Sequence, residues 1–185
     1  MLLEVIRSRR SIRNYQDRPV EEEKLQACFD ILRYAPSACN SQPWHFVVVT
    51  DYEKRRALCD TFTGAYSFNR FADRAPVILA AVIDREKKIP FLGSMVRRVN
   101  FALIDVAIAC EHILLQACAL GLGGCWIGWF NERAIKKILA IPRSKKVISL
   151  LTLGYPESQP SAERERRSVA EIVSFNRWRS REDAT

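Results

Sequence analysis

The chain has 185 residues, of which 48% are hydrophobic and 27% are charged, which excludes a disordered or fibrous protein. A single domain of this length buries roughly 70% of the surface of its unfolded chain, so it needs neither a disulfide framework nor a structural metal. The formal net charge of +8 favours an anionic partner, but it does not distinguish phosphate, nucleic acid and lipid head groups.

The first part of the chain predicts two helices and a strand. Leu2–Ile6 has helical spacing and leads into a basic run, residues 7–13, which we place in a loop. A second helix begins with the acids Glu21–Glu23 and ends before Pro36. Phe46–Val49 predicts a strand in the interior of a sheet, because it is apolar on both faces.

Two strands, a long helix and a loop are predicted further along the chain. Buried strands are predicted over Pro76–Asp84 and Val147–Gly154. Between them, Val99–Leu120 is apolar nearly all round, so we expect this helix at the centre of the fold or at a dimer interface. A Gly-rich loop, residues 121–128, is predicted to follow it.

Several features predict a cytoplasmic protein. The six cysteines form no C-x-x-C pair and are typical of small apolar residues in a reduced compartment. Glu4 and a cluster of arginines stand where a signal peptide has its apolar core. The charge-free stretch 113–130 has the length of a membrane span, but four glycines and Gln116 interrupt it, so we expect no span.

The order of the elements predicts α+β packing around a small sheet, in a single domain that comprises residues 1–185. The tail, residues 164–185, is highly charged but also apolar in places. We therefore expect it to dock on its own fold or on a partner subunit through Val169, Ile172, Val173, Phe175 and Trp178.

Several kinds of chemistry are excluded by the residues present. His45 and His112 are too few for most metal or triad sites, and neither a G-x-S-x-G elbow nor a G-K-[ST] phosphate loop occurs. Gly121–Gly124 begins like a dinucleotide fingerprint, but Trp126 replaces the third glycine and the run follows a helix. We expect no metal and no Rossmann site, so demanding chemistry would belong to an organic cofactor.

Four clusters suit such a cofactor. Arg9–Arg13 offers guanidinium forks and a hydroxyl group for a phosphate. Ala35–Trp44 is a Pro-bracketed loop of neutral polar side chains suited to polyol hydroxyls and ring edges. Gly123–Gly128 allows a backbone to approach a flat ligand, and Arg164–Arg167 is cationic. Both basic runs are also compatible with solvated surface.

Three motifs stand in a characteristic order. Arg-Arg-Ser-x-Arg lies near the N-terminus, Pro-Ser-x-x-Asn-x-Gln-Pro-Trp follows the second predicted helix, and Gly-Leu-Gly-x-Cys-Trp-Ile-Gly follows the long apolar helix. Together, and from Arg9 to about Trp178, the chain resembles the FMN-dependent nitroreductase family. The resemblance implies an α+β fold with a small, mostly antiparallel central sheet flanked by helices. It also implies a homodimer around the long buried helix, with an FMN at each end of the interface.

The resemblance further implies which residues contact FMN. The phosphate and the adjoining ribityl chain would be held by Arg9, Arg10 and Ser11, together with Arg164 and Arg166 from the tail. Arg13 would lie by the pyrimidine edge of the flavin, where its charge would stabilise the reduced state. The loop that reaches the flavin from the other subunit corresponds to Pro36, Ser37, Asn40 and Gln42. Asn69 matches a position near the flavin, and the loop that passes the ring corresponds to Trp126, Ile127 and Gly128.

Two departures from the family pattern concern the pocket. Ala72 stands where some members carry a second lysine that faces the pyrimidine, which leaves Arg13 more nearly alone. The segment between Asp84 and Val99 is short and basic. Its charges at 85–98 suit solvated surface, an anionic substrate or the extra phosphate of NADPH, and substrate choice does not follow from the resemblance.

We therefore expect an FMN-dependent oxidoreductase that takes hydride from NAD(P)H and reduces nitroaromatics, quinones or similar small molecules by a ping-pong mechanism. No side chain is then an obligatory acid or base, which agrees with the shortage of histidine. Three alternatives stay open: a flavin-fragmenting or dehalogenating relative, a flavin-binding protein without turnover, and a basic nucleic-acid-binding domain. The last lacks a recognition element with clustered basic and aromatic residues, so we expect no nucleic acid partner.

Overall fold

The computed structural model describes residues 2–84, 88–158 and 164–178. Its α-helices are α1 (Leu2–Ser8), α2 (Glu22–Asp30), α3 (Tyr52–Cys59), α4 (Lys88–Arg97), α5 (Phe101–Ala119), α6 (Glu132–Ile138) and α7 (Val169–Ile172). Short 3-10 segments span Ile31–Tyr34, Ala38–Asn40 and Gly64–Arg74. The strands are β1 (Trp44–Val49), β2 (Val77–Ile83), β3 (Gly123–Ile127) and β4 (Lys146–Gly154).

The four strands form one sheet in the order β1-β2-β4-β3, and all neighbours are antiparallel. Residues 77, 79 and 81 of β2 pack on the face that α2 and α5 cover, whereas residues 78, 80 and 82 pack on the face of α3 and α6. Because helices cover both faces, β2 is a continuous apolar run and not an alternating one. The predictions of an α+β fold, of two buried strands and of a central apolar helix are confirmed.

The prediction that Phe46–Val49 lies in the interior of the sheet is wrong. β1 is an edge strand, in which His45 is exposed and Val48 is 38% exposed. Phe46 and Val47 nevertheless pack against the cores on opposite faces of the sheet. An edge strand can therefore be apolar on both faces when helices cover both sides of the sheet. β1 pairs with a neighbouring strand, β2, along one of its edges.

The prediction of a Gly-rich loop is wrong for Gly123–Ile127, which forms the other edge strand. A Cβ atom on Gly123 would lie 2.3 Å from Cγ1 of Ile12, and one on Gly124 would lie 2.6 Å from the carbonyl oxygen of Thr152. Gly123 allows the N-terminal segment to pack directly on β3, and Gly124 allows β3 to pack closely against α5 and β4.

A partly exposed ion-pair network fixes α6 to β4. The carboxylate of Glu132 lies 2.8 Å from Nζ of Lys136 and 2.7 Å from Nζ of Lys146, and it accepts a hydrogen bond from the Val147 amide. Partial burial acts to raise the pKa of Glu132, but the three donors outweigh this effect and lower the pKa to about 2. The group therefore stabilises the fold as a carboxylate.

Two apolar segments differ in their surroundings. α5 is long and apolar enough to span a bilayer by length and composition alone, a test that buried core helices also pass, and much of α5 is buried in this fold. The described part of the tail, residues 164–178, buries none of its apolar side chains, and Trp178 is 89% exposed. Docking of this tail on a partner subunit stays a prediction, and residues 179–185 lie outside the described residues.

Candidate cofactor-binding site

The basic run at the N-terminus is bound to the edge of the sheet. Ser11 forms an isolated parallel bridge with Gly124, and the Ile12 amide donates to the Gly124 carbonyl at 2.9 Å. The buried hydroxyl of Tyr15 donates to the Ile12 carbonyl at 2.7 Å and lies 2.7 Å from Oγ1 of Thr152. Burial raises the pKa of Tyr15, so the phenol remains a hydrogen-bond donor at any physiological pH. The run is therefore a rigid part of the structure.

Two of the predicted phosphate ligands, Arg9 and Arg10, line one small cleft with Gly123 and Gly124, next to the buried Cys125 of β3. Burial raises the pKa of the Cys125 thiol, and this effect is opposed by the Arg13 guanidinium, by a hydrogen bond with Ser11, and by Arg164 and Arg9. The positive charges of Arg9, Arg13 and Arg164, which come from two segments distant in sequence, therefore all favour an anion in this region. This concentration of positive charge beside a hydroxyl group suits a phosphate.

The individual side chains of this arginine cluster are held in different ways. Nε of Arg9 lies 3.2 Å from Oε1 of Glu111 on α5, which orients the guanidinium. Arg10 is half-buried and lines a small cleft with Arg9 and Gly123. The exposed Arg13 lies 5.6 Å from the centre of the Phe71 ring.

The two tail arginines differ. The positive charge of Arg164 opposes the rise in the pKa of Cys125, as do the charges of Arg9 and Arg13. Arg166 is exposed, and its Nη1 donates to the Glu165 carbonyl in its own segment at 3.3 Å. The charge of Arg164 therefore acts in the region of Arg9 and Arg13, whereas the contacts of Arg166 leave it in the tail.

The second predicted motif forms a tight loop, residues 36–42, before β1. The Ser37 hydroxyl accepts a hydrogen bond from the Gln42 amide at 2.9 Å, and Nε2 of Gln42 donates to Oδ1 of Asn40 at 2.9 Å. Cys39, Asn40 and Gln42 all have positive φ, between 45° and 52°. Left-handed backbone at non-glycine residues is strained and is often found at functional sites. Pro36 and Asn40 are exposed, so the loop presents polar groups to the outside of this chain.

The third predicted motif contributes mainly backbone. Ile127 is 1% exposed and packs in the core, and the half-buried Trp126 packs against the opposite core. Gly128 follows the strand, and a Cβ atom there would have no neighbour within 4 Å. Of these three residues, Gly128 therefore offers the open backbone that close approach of a flat ligand requires.

Asn69 connects the 3-10 segment Gly64–Arg74 to this open backbone. It is 2% exposed, and its Nδ2 donates to the Trp129 carbonyl at 2.7 Å. The exposed Trp129 ring contacts Tyr66 edge-on, with centroids 6.2 Å apart, and Phe68 at 6.0 Å. The structure thus adds an aromatic cluster that the sequence analysis did not single out.

Residues missed by sequence reasoning also orient the site. Asp105 and Glu111 on α5 contact the loop and Arg9, respectively, and Tyr15 fixes the basic run. A signal was present for the two acids, because they are charged residues in an otherwise apolar helix. No group of three or more histidine, cysteine or acidic side chains able to hold a metal occurs in residues 2–84, 88–158 and 164–178.

A small antiparallel sheet between two helical layers, with both clusters arranged along α5, is the nitroreductase-like fold. Residues 6–155 match the Nitroreductase family, and the chain belongs to this family. The match includes every residue predicted to contact a cofactor except Arg164 and Arg166, which follow it.

Individual relatives agree with this assignment. A protein from Archaeoglobus fulgidus, provisionally named as an NADH dehydrogenase/NAD(P)H nitroreductase, is 33% identical over 85% of this chain and 86% of its own. An NADPH-flavin oxidoreductase from Vibrio harveyi is 27% identical over 85% of this chain and 67% of its own. The solved structure of an FMN-dependent nitroreductase from Clostridium difficile R20291 is 29% identical, with a TM-score of 0.77 over 95% of this chain and 99% of that one.

Proposed function

We propose that the protein is an FMN-dependent oxidoreductase that takes hydride from NAD(P)H and passes electrons to nitroaromatics, quinones or similar small molecules in a ping-pong cycle. Family membership and the names of the relatives support an NAD(P)H-dependent oxidoreductase. The observation that supports the proposal for FMN is the geometry of the basic run: Ser11 and Ile12 are bound to Gly124 at the edge of the sheet, and Arg9 and Arg10 line one small cleft beside them.

The donor groups of this site fit FMN. Guanidinium forks and a serine hydroxyl are suited to a phosphate, and the neutral polar loop 36–42 is suited to ribityl hydroxyls. Gly128 leaves its backbone open for a flat ring system.

The role of each group follows from its charge. When bound, FMN would accept a hydride and return the electrons to an acceptor. Arg9, Arg10 and Ser11 would neutralise and orient the phosphate, with Glu111 fixing the direction of the Arg9 guanidinium. Arg13 would stabilise negative charge at the pyrimidine edge of the ring.

We further propose a homodimer in which the loop of one subunit completes the site of the other. Apolar side chains are exposed on α1, α4 and α5, where α1 and α4 each pack against α5, and Val96 is 84% exposed. The group consists of Leu3, Phe91, Leu92, Met95, Val96 and Ile104. An apolar surface of this kind is typical of an interface between subunits, and its burial would place α5 at the centre of a cytoplasmic dimer.

The first test is the visible spectrum of the purified protein, recorded before and after addition of NADH and NADPH in turn without oxygen. We expect flavin absorption bands at about 450 nm that one nucleotide bleaches. The bands should return on addition of a nitroaromatic or quinone. A yellow protein that neither nucleotide bleaches would indicate flavin binding without this turnover, or degradation of the flavin. A colourless protein that FMN does not reconstitute would overturn the proposal.

A pair of variants separates the site from the net charge. Arg9→Gln should weaken FMN binding, because it removes a guanidinium from the arginine cluster. Arg143→Gln removes the same charge from an exposed position beside α6 and should leave FMN binding unchanged. Equal weakening by both variants would show that binding depends on overall charge and not on this site.

A further inference from the structure

One buried carboxylate stands apart from the residues of the cofactor site. Asp105 on α5 is 5% exposed. The other buried polar residues of the described ranges are Asn69, Ser149 and Thr152, so Asp105 is the one carboxylate among them. Its Oδ2 accepts a hydrogen bond from the Ala38 amide at 3.1 Å and another from the Ser41 hydroxyl at 3.4 Å. A carboxylate is an acceptor only, and burial without donors would be costly, so these two contacts matter to Asp105 itself.

The two anchored residues flank two of the three strained positions of the loop. Cys39 and Asn40, with φ of 52° and 50°, lie between Ala38 and Ser41. Such backbone persists where the surrounding structure over-determines it. Within the loop, Ser37 contributes by accepting from the Asn40 and Gln42 amides, and Asp105 adds the link to the central helix.

We propose that Asp105 is a positioning residue, which holds loop 36–42 in the conformation that presents Ser37 and Asn40 to the cofactor. This inference rests on the proposed function for the identity of the cofactor. Loss of the carboxylate leaves the Ala38 amide without its acceptor and releases both ends of the strained turn. The loop then has to be ordered when the cofactor binds, and binding becomes weaker by the cost of that ordering.

The test uses the full chain with Asp105→Ala and Asp105→Asn. We expect Asp105→Ala to raise the Kd for FMN about tenfold or more. Turnover at saturating FMN should stay close to wild type, because bound FMN restores the loop. Asp105→Asn should recover most of the affinity, since its Oδ1 can still accept from the Ala38 amide.

A matched control separates positioning from general stability. Ile113→Val removes a methylene from the buried core of the same helix without touching the loop, so it should lower the melting temperature and leave the Kd for FMN unchanged. If Asp105→Ala lowers the melting temperature but leaves the Kd for FMN at the wild-type value, the positioning role is refuted.

A second readout does not depend on FMN. Cys39 is exposed and lies between the two anchors, so its rate of alkylation by iodoacetamide, followed by peptide mass, reports the conformation of the loop. We expect this rate to change in Asp105→Ala and to return toward wild type in Asp105→Asn. An unchanged rate would overturn the inference. A changed rate in a protein that binds no FMN would support the role of Asp105 and refute the proposed cofactor.

Discussion

Replacement of Tyr15 by phenylalanine should destabilise the protein by roughly 1–3 kcal/mol, the usual cost of leaving a buried hydrogen-bonding group without its partner. The Tyr15 hydroxyl is buried, donates to the Ile12 carbonyl at 2.7 Å and lies 2.7 Å from Oγ1 of Thr152. Thr152 can still donate to the Cys125 carbonyl at 3.4 Å, so the main loss falls on the Ile12 carbonyl. Because Ile12 lies inside the basic run, FMN binding should weaken as well.

The assay is urea denaturation of the apoprotein, in which the midpoint should fall while the m-value stays constant. Tyr34→Phe is the matched control, because it deletes the same hydroxyl group from a side chain that is 74% exposed. This control should change the free energy of unfolding by no more than about 0.5 kcal/mol. If both variants shift the midpoint equally, the hydrogen bond of Tyr15 does not hold the basic run and the reasoning fails.

Three further predictions concern packing, pH and charge. Gly124→Ala should cost about 1–3 kcal/mol in a urea titration, because its Cβ atom would lie 2.6 Å from the Thr152 carbonyl oxygen, whereas Gly128→Ala should cost little. The free energy of unfolding should fall as the pH drops from 4.5 to about 2, since the folded pKa of Glu132 lies below its ordinary value, and Glu132→Gln should show a smaller fall. Arg13→Ala should lower the reduction potential of bound FMN in a potentiometric titration, and an unchanged potential would place this guanidinium elsewhere.

The sequence predicts the parts of the fold that local pattern determines. Continuous apolar runs identify β2 and β4, and a helix that is apolar nearly all round identifies α5. β3 was missed because paired glycines are typical of loops, whereas here they permit contact with Ile12, a residue that is distant in sequence. The sequence also does not predict the edge position of β1. Helices cover both faces of the sheet, so an edge strand and a central strand have the same apolar pattern.

The candidate site divides in the same way. Motif order predicts Arg9, Ser11 and the loop 36–42, and the fold brings Arg164 to the same region from a distant part of the chain. Asp105 and Glu111 stand out as charges in an apolar helix, but the contacts through which they orient the site cannot be predicted from local pattern. The contact of Asp105 with Ala38 spans 67 positions, and nothing near either residue in sequence indicates it.

The geometry of α5 leads to a test of the shared site. Asp105 and Glu111 are six residues apart, which places them about 9 Å apart along the helix and about 120° apart around it. Asp105 holds the loop and Glu111 holds Arg9, so one α5 supports the two clusters on different faces. The proposed homodimer, in which the loop of one subunit completes the site of the other, would bring the loop of one chain to the arginine cluster of its partner.

This arrangement predicts complementation between two defective chains. A heterodimer of Arg9→Ala and Asn40→Leu would contain one site with both defects and one site built from the intact arginine cluster of one chain and the intact loop of the other. We expect heterodimers purified through two different tags to bind one FMN per two chains with wild-type affinity, although each homodimer binds FMN weakly. A site built within a single chain gives the opposite result, because every site in the heterodimer would then carry one defect. Weak binding throughout would therefore refute the shared site and would place both clusters around the cofactor of their own chain.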